Sequence, residues 1–184
     1  VSITDSASCV HNFSFTIPGP TAVIIVDVTV TDVSCNGGSN GSMIADISGG
    51  AVPNTYIWTY LDDPSLIIPN SDIVTGLPAG SYELTVINGY GCSDTVSGIT
   101  ISEPSAIVIS ETVVTPTCNG GNDGSIEISA SGGSGPYEYD FGDGFGSSDT
   151  ASGLSAGTYV VSVMDANGCI ATKTITVSQP AKLT

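Results

Sequence analysis

Arginine is absent and lysine occurs only twice, against 18 acidic residues, which leaves the 184-residue chain a formal charge of −16. Such a surface repels phosphate backbones and anionic headgroups, so nucleic acid is excluded as a partner and membrane insertion is not expected of this segment. Histidine occurs once, as His11. Ser-His-Asp and Cys-His catalysis both need a base beside the nucleophile. No carboxylate pair recurs to suggest glycoside chemistry instead, and the chain is expected to have no catalytic residue. Signals for a secretory leader, a membrane span or a helix are also missing. Charged residues make up only 11% of the chain, and hydroxyl and amide side chains fill their place.

What the chain does contain is repetition. CNGGSNGS at 35–42 returns as CNGGNDGS at 118–125, an offset of 83 (118 − 35). Pro53 with Pro136, Tyr56 with Tyr139 and Trp58 with Phe141 keep that offset. LPAGSY at 77–82 matches LSAGTY at 154–159, and Cys92 matches Cys169, now at 77 (169 − 92). The lost residues belong in a surface loop after the aromatic strand. VSITDSASCVHNFSFTI at 1–17 aligns with VSVMDANGCIATKTITV at 161–177. Residues 1–22 therefore read as the end of a preceding repeat, 23–104 as one complete repeat and 105–184 as a second that runs into the next. The chain is expected to be an excerpt of a longer array.

Apolar residues alternate with polar ones in short runs, as at 107–114, 125–129, 158–163 and 172–177. Val, Ile, Thr and Tyr in this pattern suit pleated strands with one buried face. Asn-Gly, Gly-Gly and Gly-Asp-Gly turns separate them at intervals of about ten residues, which predicts a sandwich. The Leu-x-x-Gly-x-Tyr motif resembles a tyrosine corner, placing Tyr82 and Tyr159 at an arch between two sheets, with Trp58 and Phe141 as core aromatics. The expected fold is all-β: tandem immunoglobulin-like sandwiches, of the fibronectin-III or polycystic-kidney-disease (PKD) kind, in an elongated array.

Taken together, Cys-Asn-Gly-Gly-x-x-Gly-Ser, Gly-Gly-x-x-Pro-x-x-Tyr, Leu-x-x-Gly-x-Tyr and Gly-Cys resemble the SprB-type repeat of large Bacteroidetes surface proteins, including gliding-motility adhesins. YDFGDG at 139–144 is similar to the PKD signature, whereas the first repeat has WTYLDD at 58–63. The resemblance implies a secreted, surface-displayed stalk or adhesin, exported by type IX secretion in known relatives. It also implies O-glycosylation at Asp-Ser/Thr sites, here Ser6, Thr95 and Thr150.

Five cysteines at equivalent positions read as a disulfide framework in an oxidising compartment. Three sets of pairings respect the repeat. One joins Cys35–Cys92 and Cys118–Cys169 within units. A second joins Cys9–Cys35 and Cys92–Cys118 across junctions. The third joins Cys35–Cys169, the early cysteine of one unit to the late cysteine of the next, and leaves Cys9 to a partner outside the fragment. In an immunoglobulin-like sandwich the two loops of one unit lie at opposite ends, roughly 20–30 Å apart at about 3.3 Å per residue, which favours the third set. One strand fewer between them brings both loops to one end and favours the first. Asp123, Asp140 and Asp143 are weak calcium candidates, since Asx-Gly pairs also form turns unaided; no cofactor is expected. The function these readings support is a structural and adhesive segment whose partners are neighbouring repeats. A carbohydrate-binding module gripping surface glycans, or a filament assembled from other copies of the chain, is the alternative.

Overall fold

The computed structural model describes residues 2–16, 19 and 21–183. Val1, Ile17, Pro18, Pro20 and Thr184, which the repeat alignment includes near its ends, lie outside the described residues. Alternation sets the strands. In residues 80–87, Tyr82, Leu84 and Val86 are wholly buried while the residues between them are not, the period of a strand with one face on a core.

A hairpin of β1 (Ser2–Thr4) and β2 (Val10–Asn12) pairs only with itself. Six strands then form the first unit: β3 (Val23–Thr31), β4 (Gly41–Gly49), β5 (Thr55–Tyr60), β6 (Ile73–Leu77), β7 (Gly80–Ile87) and β8 (Ser93–Ile101). Their sheets are β3-β4-β6 and β5-β7-β8, antiparallel throughout. The second unit repeats the order with β9 (Val108–Val114), β10 (Gly124–Ser131), β11 (Glu138–Asp140), β12 (Thr150–Leu154), β13 (Gly157–Met164) and β14 (Ile170–Val177), in sheets β9-β10-β12 and β11-β13-β14. Side chains from both sheets meet in one core per unit. Each unit is an immunoglobulin-like sandwich, and the chain is all-β with no helix among the described residues.

Register fixes which loops share an end. Gly41 opens β4 opposite Leu77, the last residue of β6, and Gly80 opens β7 opposite Ile101, the last of β8. The β3–β4 loop therefore lies at the end where the chain leaves the unit, and the β7–β8 turn lies at the other.

The two cores differ in size. Twelve apolar side chains are buried in the first and six in the second. Trp58 lies within β5, 5% exposed, and its Nε1 donates to the Ser71 carbonyl (2.8 Å). Phe141 is only half-buried at the edge of its core. The cause is local: β11 stops at Asp140, where the carboxylate accepts the N–H groups of Gly142 (2.7 Å) and Gly144 (2.9 Å) and turns the chain out of the sheet. Both tyrosine corners are closed, Tyr82 donating to the Pro78 carbonyl (2.7 Å) and Tyr159 to that of Ser155 (2.9 Å).

Candidate functional site: the junction between the two units

Three turns precede a cysteine, and all three are built alike. In the β13–β14 turn, Oδ1 of the buried Asp165 accepts the N–H groups of Asn167 (2.9 Å) and Cys169 (2.9 Å). Asn88 in the β7–β8 turn does the same for Tyr90 (2.9 Å) and Cys92 (3.0 Å). Asp5 in the β1–β2 turn does so for Ala7 (2.8 Å) and Cys9 (3.0 Å). Sequence reasoning missed this cap, although an Asx residue four places before each cysteine marks it. Burial alone pushes the Asp165 carboxyl up, but the N–H groups of Ser134, Cys169 and Asn167 outweigh it and hold the group below the usual carboxylate range.

The Cys-Asn-Gly loops are the second half of the junction. Asn36 Nδ2 donates to Glu103 Oε1 (3.0 Å) and to the Pro104 carbonyl (3.1 Å), and the Gly37 N–H donates to Glu103 Oε2 (2.5 Å). One unit later, Asn119 Nδ2 donates to the Pro180 carbonyl (2.9 Å) and the Gly120 N–H to Gln179 Oε1 (2.7 Å). Gly37 and Gly120 have φ of 71° and 78°, a backbone that side chains disfavour. The Asn and the first Gly of the motif thus clasp the Glu/Gln-Pro pair through which the chain leaves the same sandwich.

The turn of the second unit meets the loop of the first. Cys35 and Cys169 are joined by a disulfide with Cα atoms 5.6 Å apart. Asn167 Nδ2 donates to the Ser34 carbonyl (3.0 Å) beside it. Cys35, Asn36, Pro104, Ile107 and Asp165 line a groove of about 410 Å³ along this contact. Cys9 and Cys118 are free and exposed, and Cys92 is free and half-buried. The pairings Cys35–Cys92, Cys118–Cys169, Cys9–Cys35 and Cys92–Cys118 are not formed.

The family model of the SprB repeat matches residues 28–62 and 110–144. One segment in each unit is thus similar to the SprB repeat. Each match runs from inside the first strand of a unit, through the Cys-Asn-Gly loop, to just beyond the aromatic strand, and ends before the tyrosine corner and the late cysteine. No curated protein matches the chain. Among solved structures it is similar to the N-terminal eight Ig domains of Down Syndrome Cell Adhesion Molecule isoform 1.30.30 (13% identity, TM-score 0.44, 88% of this chain and 25% of that one). It is also similar to the C-terminal 282-residue fragment of intimin in complex with the intimin-binding domain of its translocated receptor (18%, 0.43, 84% and 64%). A third is the full ectodomain of mouse nectin-like molecule 4 (12%, 0.36, 86% and 65%). The chain thus spans a quarter and somewhat under two thirds of the first two.

The remaining candidates sit away from the junction or serve its loops. Asp123 accepts the Thr117 hydroxyl (2.7 Å) and N–H (3.0 Å), and these bonds hold its pKa down. The N–H groups of Gly142 and Gly144 do the same for Asp140. Asp143 lies in the turn after β11, three residues on from Asp140; among the described residues no three His, Cys, Asp or Glu side chains gather as metal ligands. Ser6, Thr95 and Thr150 are all exposed. Thr95 shares a hydrogen bond with Thr85 (2.9 Å), and Thr150 donates to Asp149 (3.0 Å).

Proposed function

We propose that this pair of SprB repeats is a non-enzymatic, tension-transmitting segment of a secreted cell-surface adhesin, displayed outside the cell as part of a stalk. The observation that carries the reading is the Cys35–Cys169 bond between consecutive units. A pull on both ends of the chain enters through β3, crosses the disulfide and leaves through β14. The covalent backbone between the two cysteines is bypassed by that path. A disulfide of this kind fits an oxidising, extracellular compartment, and the excess of negative charge keeps a long array soluble. Exposed Ser6, Thr95 and Thr150 are available to O-linked sugars on this reading, no cofactor is required, and gliding is one of the surface roles such a stalk serves.

Single-molecule pulling tests it. The cysteines are 134 positions apart, so reduction releases about 440–480 Å of chain at ~3.3–3.6 Å per residue. The oxidised protein is expected to lack that extension. Equal extension before and after reduction overturns the reading.

A second reading rests on the open groove of about 520 Å³ in the second repeat, lined by Tyr139, Phe141, Asp143 and Ser148 among others. Half-buried aromatics beside hydroxyls and a carboxylate suit a sugar ring. A glycan array with the two-repeat protein decides it: binding lost in Phe141→Ala supports a lectin site, and no binding to any glycan removes it.

A further inference from the structure

The two repeats differ on one side. In the first, the β5–β6 loop closes that side of the sandwich: Ile68 packs on the core, Asn70 Oδ1 accepts the Tyr56 N–H (2.7 Å) and the Ser71 carbonyl accepts Trp58 Nε1–H (2.8 Å). In the second, the β11–β12 connection is shorter (141–149 against 61–72) and leaves the groove of about 520 Å³. Gly146 pairs with Tyr139 across this groove's rim, each N–H donating to the other's carbonyl (2.8 and 2.9 Å). Residues directly opposite in such a pair point their side chains to the same face, and Tyr139 packs on the core from that face. A Cβ at Gly146 would meet nothing within 4 Å, and its φ lies outside the left-handed region. Neither strain nor crowding requires glycine there, and its effect is to leave the groove open.

The lining combines three kinds of group. Tyr139 and Phe141 supply half-buried rings, Ser148 and Thr150 supply hydroxyls, and Asp143 supplies a carboxylate. Asp140 is engaged by the Gly142 and Gly144 N–H groups and Asp149 by the Thr150 hydroxyl. Among the described residues nothing donates to the exposed Asp143 carboxylate. Burial, and after it the charge of Asp149, raises the Tyr139 phenol, so a second carboxylate acts on the groove. Residues 140–149 hold three acids and no base. Neither lysine lines the groove, and Lys173 is already paired with Glu111. In a chain of charge −16, such a site rejects uronic and sialic acids and favours a cation.

From this lining we infer that the groove is a subsite for an amino sugar with a free ammonium group. The pyranose ring lies on Phe141 and Tyr139, its hydroxyls meet Ser148 and Thr150, and its ammonium faces Asp143. The inference rests on the sugar reading of this groove and names the class of sugar. A lysine side chain would also use the rings and the carboxylate, but it would leave the hydroxyls unused.

The test is titration calorimetry on the two-repeat chain produced without O-linked sugars, since Thr150 lines the groove. The probes are a glucosamine trisaccharide, its fully N-acetylated counterpart and a galacturonic acid trisaccharide. At low salt the glucosamine form is expected to bind at least about fivefold more tightly than the N-acetylated form, and the acidic form not at all. Asp143→Asn shrinks that preference about threefold to fivefold, and high salt shrinks it too. Asp46→Asn removes the same charge from an exposed position on β4 and leaves binding as it is. Gly146→Val fills the groove and abolishes binding, while the melting midpoint holds or rises, because valine suits a paired strand better than glycine. Equal affinity for the two glucosamine forms, or a preference unchanged in Asp143→Asn, overturns the inference. Binding that survives Gly146→Val also overturns it and marks attraction to net charge alone. Binding of the N-acetylated form alone, lost in Phe141→Ala, overturns the amino-sugar class and leaves the sugar reading standing. No binding of any of the three removes the inference, and silence across a full glycan array removes the sugar reading with it.

Discussion

At the scale of single residues, the two tyrosine corners are chemically identical and physically unlike. Tyr82 is wholly buried, and removal of its hydroxyl leaves the carbonyl of the half-buried Pro78 without that donor. Tyr82→Phe is expected to destabilise the first repeat by about 1–2 kcal/mol. Tyr159 is half-buried and its acceptor, the Ser155 carbonyl, belongs to an exposed residue, so Tyr159→Phe costs less. Urea unfolding of the two variants measures the difference. Burial first, then the neighbouring Tyr60 and Asp62, pushes the Tyr82 phenol up to about 12. Its unfolded value is about 10. The folded pKa is the higher, so the contribution is complete below pH ~10 and is lost as pH rises towards ~12. Absorbance of phenolate and the melting midpoint, followed over that window, should move together. Trp58 and Phe141 teach the limit of residue matching. They occupy equivalent sequence positions, yet two glycines after Asp140 end the strand early in the second repeat, and no pattern of apolar residues announces that.

At the scale of elements, strand alternation and the paired motifs made the sandwich readable, because burial on one face of a strand is written directly as period two. The cysteines were readable only as three sets of pairings. Strand order separates those sets, since it places the β3–β4 loop and the β7–β8 turn at opposite ends of one unit. The Asx cap is a different matter: a single Asp or Asn in a turn is common, and only its recurrence four places before Cys9, Cys92 and Cys169 marks it. Asp165→Asn keeps a carbonyl oxygen for Asn167 and Cys169, as Asn88 does in the first repeat, but its amide faces the Ser134 N–H. Asp165→Ala removes all three bonds and is expected to destabilise the turn by about 3 kcal/mol, with Asn in between. The Asp165 carboxyl is depressed, so its contribution is present above pH ~4 and is lost as acid protonates it below that. Amide exchange at Asn167 and Cys169 should rise in Asp165→Ala at neutral pH and in the native protein at low pH. The loop carboxylates of Asp123 and Asp140 are engaged by their own backbone. Accordingly, calcium or a chelator is expected to leave the melting midpoint unchanged within error, and a calcium-dependent rise of several degrees would restore the metal reading.

At the scale of the whole molecule, the junction makes two unequal domains depend on each other. The second repeat has half as many buried apolar side chains as the first and so the smaller share of hydrophobic stabilisation. Its turn is nevertheless pinned to the first repeat through Cys169, while Asn36 and Gly37 hold Glu103 and Pro104 at its entrance. When the second repeat unfolds on a folded first repeat, both ends of the stretch 104–169 stay anchored at one place. A closed loop of about 65 residues removes enough freedom from the unfolded chain to be worth about 4 kcal/mol on the loop-entropy account. In a domain of this size that corresponds to a melting shift of at least about 10 °C. Calorimetry of the oxidised protein should therefore show transitions close together. Reduction, or Cys35→Ser, should move one of them down and leave the other near its place. Tryptophan fluorescence identifies which, because Trp58 is the sole tryptophan and lies in the first repeat: the early transition is expected to be silent in that signal. If the early transition instead carries the Trp58 signal, the larger core is the weaker one and the junction supports the first repeat rather than the second.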